Sequence, residues 1–263
     1  MVAEPTLALK KADYEVEVAD YMGQGRDSTR WSADQAARIK RDIGSALRRF
    51  YYPVPPHDWS FLRPFTSLTL LSGASTARLP DDFGGVEGRI SVTTSGEEVC
   101  TPIVFGNPAF VQRQLDASPD QTGRPQIASI KPVKAMQPDQ GQKFDVLLFP
   151  AADQAYILTF QYYMNPSYLL DSVMPYAYGG AEHSETILES CLAIAEERRL
   201  DIADGSGPHG IAFAKRLLAS QALDRRKKPQ WIGTNRDYSD GVETLYERGH
   251  NWAAVTINGT EYT

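Results

Sequence analysis

Residues 79–88 read LPDDFGGVEG. Asp81 and Asp82 directly before Gly84 and Gly85 look at first like a metal or phosphate loop, and that choice separates a catalytic fold from a structural one. The spacing argues against an ion. Adjacent residues of a strand point to opposite faces, and the alternating ligands of a calcium loop are missing. The stretch reads instead as a strand end and turn. Leu79 and Phe83 go inward, the Asp81 and Asp82 side chains bond local backbone, and Gly84 and Gly85 supply positive φ.

Outward from this turn, residues 65–164 carry the period of strands in FTSLTLL, GRISVTT, TPIVF, QIASIKPV, KFDVLLFP and AYILTFQYYM. SGAS, DDFGG, TSGEE, TGRP and PDQGQ break the runs with turn residues. Six or seven short strands with such breaks predict an antiparallel sandwich or barrel. NPAFVQRQL interrupts it as a short helix, with Asn107 as cap and Pro108 at the first helical position.

Helical spacing flanks the strands on both sides. SADQ at 32–35 matches a capping box, and Ala36, Ile39, Ile43, Leu47 and Phe50 form one apolar stripe with Arg38, Arg41, Arg48 and Arg49 off it. Pro53, Pro55 and Pro56 stop this helix, and a shorter one over 12–22 precedes it, ended by Gly23. After the strands, Ser184 is the expected cap of a helix burying Ile187, Leu188, Cys191, Leu192 and Ala195. A last helix over 208–227 is expected to turn Ile211, Ala214, Leu217 and Leu218 inward and to end in a solvated RRKK. The fold class is therefore α+β: N- and C-terminal helices (1–60 and 171–228) form a bundle, an antiparallel β domain (61–170) is inserted in it, and an extended arm (229–263) follows.

The arm has little periodicity until AAVTINGTEYT, where Asn258 and Gly259 between β-prone residues predict a hairpin. Ordering such a stretch costs on the order of 1–2 kcal/mol per residue in backbone entropy, which a lone hairpin does not offset. Yet Trp231, Tyr238, Leu245, Tyr246, Trp252, Val255, Ile257 and Tyr262 are too apolar and aromatic for a solvated linker. The arm reads as a segment that docks on another surface, and these eight residues are its candidate anchors.

Chemistry-bearing patterns are weak. His57, His183, His209 and His250 sit among loop residues without a metal-ligand spacing, so neither a metal nor a cofactor is expected. No nucleophile elbow or phosphate-cradling Gly-Lys loop occurs, and no carboxylate pair stands out, so the chain does not read as an enzyme. RRFYYP and FQYYMNPSY read as core aromatics rather than a stacking platform. With 263 residues and a formal charge of −6, the chain is large enough for a real core and too acidic for a general nucleic-acid binder. No segment approaches the ~20 apolar residues of a membrane span, and Cys100 and Cys191 read as buried thiols.

GQGRDSTRWSADQAARIKRDIGSALRRFYYP, then WSFLRP, LPDDFGGVEG, TGRPQIA and HSETILESCLAIAE resemble, in this order, the head-to-tail adaptor (connector) proteins of tailed bacteriophages. The likeness covers 12–204, and its layout is similar to that of the T7-type adaptor, with a longer strand block here. It implies a structural virion protein at the portal vertex, assembled in the host bacterial cytoplasm. Its implied form is a ring, commonly dodecameric, that binds the portal protein above and the tail nozzle, tube or fibres below, while double-stranded DNA passes through without specific binding. It also implies a C-terminal arm that holds the portal. Independently, an acidic chain suits a DNA conduit, because like charge lets a duplex slide, and heterologous interfaces close rings. The competing readings are a tail-associated receptor- or glycan-binding module built on the β block, and a hydrolase of cell wall or capsule.

Overall fold

A computed structural model of the chain describes residues 7–93, 101–133, 141–169, 174–202 and 205–227, together with 255–257 and 260–262; for 101–102 and the last six residues it gives the backbone only. Ser32 starts the helix α2 (Ala33–Tyr51) by the reciprocal exchange its sequence predicts: Gln35 N donates to Ser32 Oγ at 3.2 Å and Ser32 N to Gln35 Oε1 at 2.7 Å. Ile39, Ile43, Leu47 and Phe50 are buried, with Ala46 between them, but Ala36 is exposed. The buried face of α2 begins one turn later than its apolar stripe, at Ile39.

The shorter helix α1 (Lys11–Tyr21) ends before Gly23 and packs against both α2 and α4 (Ala181–Leu200). Helix α4 starts at Ala181 with Gly180 as its cap, four residues before the expected cap Ser184. Ser184 lies inside the first turn, where its Oγ donates back to Gly180 O (3.1 Å) and accepts Leu9 N (3.3 Å). Ile187, Cys191 and Ala195 are buried, and so are the polar Thr186, Ser190 and Glu196, because helices crowd α4 on several sides. Ser190 Oγ bonds Ala46 O of α2 (3.0 Å), and Thr186 bonds Ser220 of α5 (Pro208–Lys227) at 2.7 Å.

Between the helices, two sheets form. In the first, β1 (Phe65–Leu70), β8 (Tyr156–Met164), β3 (Phe83–Thr93) and β4 (Thr101–Pro102) lie in that order, all antiparallel. The second has the order β2 (Thr76–Arg78), β7 (Lys143–Phe149), β6 (Ile127–Val133), β5 (Val104–Phe105). Its β5–β6 pair is parallel, with Val104 opposite Ile127, so the expected all-antiparallel block is corrected to one antiparallel and one mixed sheet. The cause lies in the connection. Asn107 caps α3 (Pro108–Ala117), and this helix with its loop supplies the long crossover that a parallel pair requires. Phe83 of β3 and Phe144 of β7 meet edge to face at 5.5 Å, joining the sheets, and one apolar cluster runs through both sheets and the helices. The fold is mixed α+β.

By its internal contacts the chain parts into two units, Met1–Arg225 and Arg226–Thr263. Within the second, β9 (Val255–Ile257) pairs antiparallel with β10 (Thr260–Tyr262), Ile257 opposite Thr260.

Candidate functional site

The two aspartates of LPDDFGG diverge. Asp81 is exposed and pairs with Lys143 Nζ at 2.6 Å, whereas Asp82 accepts the Tyr162 hydroxyl at 3.1 and 3.2 Å and its carbonyl accepts Asn165 N. Burial, then the bond to Asp82, pushes the Tyr162 phenol up to about 12. The expectation of local backbone bonds is thus corrected, because both side chains reach partners on other strands. Gly84 and Gly85 do not have positive φ. Gly84 is required by close approach, since a Cβ there would stand 3.0 Å from Tyr163 O, and Gly85 sits at a bulge in the β3–β8 register. Positive φ falls instead on Gly88 (+74°), at the second bulge. Leu79 and Phe83 are buried. Asp82→Ala should cost about 1 kcal/mol in urea denaturation, the worth of one hydrogen bond. A calcium-dependent rise in melting temperature that this substitution abolishes would overturn the structural reading.

Asp224, in the last turns of α5, is the most completely enclosed carboxylate described, with no exposed side-chain surface. Ser60 N and Oγ donate to its Oδ1 at 3.0 and 2.5 Å, and His57 Nε2 donates to Oδ2 at 3.0 Å. Burial on its own would raise its pKa; the bonds from Ser60 and His57 outweigh burial and hold the carboxyl below the ordinary range. The order differs from that of a Ser-His-Asp triad: the carboxylate lies between Ser60 and His57, so the hydroxyl donates to Asp224 and not to the imidazole. The group is a clasp that ties α5 to the loop leading into the strands. Polar contacts likewise fix the α4–α5 corner: Glu196 accepts His209 N (3.0 Å), and Glu197 accepts Gly205 N (3.0 Å) and a bidentate Arg49 (2.8 Å each).

This clasp also corrects the expected face of α5. Ile211, Ala214 and Leu218 are exposed and Leu217 is half-buried, while Gly210, Phe213, Ser220, Gln221 and Asp224 turn inward. His183 and His209 are helical rather than loop residues. His183 is packed against Phe50, Trp59 and Phe61, and His209 Nδ1 bonds Glu189 at 2.9 Å. Cys191 is a free, buried thiol whose pKa burial drives upward. Among the described residues no cluster of three or more His, Cys, Asp or Glu is placed to hold a metal ion, and no helix is long and apolar enough to cross a membrane.

An open groove of about 670 Å³ lies between α2, α4 and the residues after α1. Arg38 and Arg41 of α2 and Arg198 and Arg199 of α4 line it, with Asp34 and Asp42. Arg198 is engaged by the buried Asp42 and by Ser45 Oγ, and Arg199 donates to Tyr21 O. Arg38 and Arg41 form no ion pair among the described residues, so the groove keeps an excess of positive charge on an acidic protein. Sequence placed Arg38 and Arg41 off the apolar stripe; their meeting with arginines more than 150 residues away had no local signal.

Of the candidate arm anchors, Trp231, Tyr238, Leu245, Tyr246 and Trp252 lie outside the described residues, as do Cys100 and His250. Val255 and Ile257 lie on β9 and Tyr262 on β10. In comparison with known proteins, no family model and no curated protein matches the chain.

Proposed function

We propose that the chain is a head-to-tail adaptor of a tailed bacteriophage, a non-catalytic subunit that assembles as a ring beneath the portal and links it to the tail. In this reading the helices form the body of the ring, the β block faces tail components, and duplex DNA passes through the centre. The arm holds the portal. The observation that carries the reading is the division of the chain: residues 226–263 form a unit by their own internal contacts, and their sequence holds Trp231, Trp252 and other apolar residues. A two-stranded hairpin of three-residue strands is too small to be stable in water unaided, which supports reading this segment as one that docks on a larger surface. The ordered stretches that resemble the adaptors fall on the capped α2, on the loop held by Asp224, on the turn before β3 and on the central α4.

Deleting residues 229–263 should leave a folded protein, with its melting transition retained, that no longer co-sediments with portal particles. Truncated protein that still decorates portals would reject the arm's role. A wild-type monomer that binds saccharide and ignores portals would replace the adaptor with a glycan-binding module.

A further inference from the structure

We propose that the arginine groove between α2 and α4 receives residues 237–247 of a second copy of this chain. The groove needs an anionic occupant. Arg38 and Arg41 are exposed and without ion pairs among the described residues, and Arg198 and Arg199 extend the cationic wall. Its volume of about 670 Å³ exceeds what a single inorganic anion fills and suits several residues of an extended chain. Its floor is not charged throughout. Met22 and Ala37 supply apolar surface beside the arginines.

Residues 237–247, DYSDGVETLYE, match both properties. Asp237, Asp240, Glu243 and Glu247 are interleaved with Tyr238, Val242, Leu245 and Tyr246, and no Lys or Arg occurs among them. Carboxylates on Arg38 and Arg41 form charge-assisted, fork-like hydrogen bonds, while the apolar side chains meet the floor.

Chain length favours a second copy over the same one. Helix α5 runs antiparallel to α4, Ser220 bonding Thr186 and His209 bonding Glu196, so Lys227 lies toward the start of α4 and the groove at its end. At about 1.5 Å per residue, the groove is roughly 25–30 Å back along the helix. The ten residues 228–237 span at most ~33–36 Å when fully extended. A segment returning to its own groove would spend most of that reach on the linker, a constraint that a segment of a second copy does not carry. The inference rests on reading the arm as a docking element but does not require the portal.

The test uses the full chain and charge exchange. Self-association of the wild type, followed by sedimentation velocity, should weaken as salt rises from about 0.05 to about 0.5 M, as screening predicts. Arg38→Glu with Arg41→Glu should weaken it roughly 10–100-fold, as should Asp237→Lys with Asp240→Lys and Glu243→Lys. Combining the two sets should restore association, which an unfolded or merely damaged variant cannot do. A wild type that stays monomeric, association indifferent to the arginines, or a combined variant without recovery overturns the proposal. So does duplex DNA binding that the arginine substitutions abolish while self-association persists. Portal co-sedimentation is scored separately. Its loss with charge-exchange rescue intact rejects the adaptor reading alone, and the reverse pattern rejects only the groove's occupant.

Discussion

Asp224→Ala should lower the stability of the folded unit by about 3–5 kcal/mol, the cost of leaving several buried donors without the carboxylate that accepts their hydrogen bonds. For a unit of this size that corresponds to a fall in melting temperature of roughly 10 °C. Three donors lose their acceptor at once: Ser60 N, Ser60 Oγ and His57 Nε2. Asp224→Asn keeps the shape and one acceptor oxygen, so it should lose less. The pH dependence has a fixed sign. The folded carboxyl is held below its ordinary value, so its stabilisation is complete above an unfolded pKa of about 3.9. Below that, the unfolded chain takes up the proton first, and the advantage fades as pH falls through the folded value. The gap in urea midpoint between wild type and Asp224→Asn should therefore be constant near neutrality and shrink below about pH 4. A melting temperature for Asp224→Ala within the error of wild type would remove the clasp from any account of stability.

The same clasp shows what the sequence carried and what it hid. Ser32 with Gln35, and Asn107 with Pro108, were legible because a cap is a local exchange complete within four residues. The inward side of α5 was not legible. Periodicity counts apolar residues, and this helix buries Ser220, Gln221 and Asp224 while exposing Ile211 and Leu218. Its docking surface is polar, made by Thr186 of α4 and by Ser60 and His57. The turn at LPDDFGG is legible as a turn, but the partners of its aspartates are not, for a related reason. Lys143 and Tyr162 are far along the chain, and only the folded sheets bring them to Asp81 and Asp82. The parallel β5–β6 pair was hidden because a strand of two residues shows no alternation from which direction can be read. The groove is the same case in positive charge, half of it written in α2 and half in α4.

Trp59→Ala should cost about 3–5 kcal/mol, as expected for emptying a fully buried aromatic site. Trp59 is completely enclosed where the chain leaves the helices for the strands. Its ring lies 4.7 Å from Phe50 of α2, 5.3 Å from Phe61, 4.5 Å from His57 and 5.5 Å from His183 of α4. One side chain therefore joins α2, α4 and the strand-leading loop. Its indole Nε1 is buried and finds no acceptor among the described residues. Trp59→Phe removes that orphan donor along with some volume, so the two effects oppose each other and the loss should be only about 1–2 kcal/mol. His57 touches both Trp59 and Asp224, so the sites are coupled. The double variant Trp59→Ala, Asp224→Ala should lose less than the sum of the single losses, by about 0.5–3 kcal/mol, because each substitution already loosens the loop that the other would release. Urea denaturation of the four proteins in that cycle measures the difference. Strict additivity would mean that the aromatic cluster and the carboxylate clasp hold separate parts of the molecule, and that the loop between them is not the joint by which the helices carry the sheets.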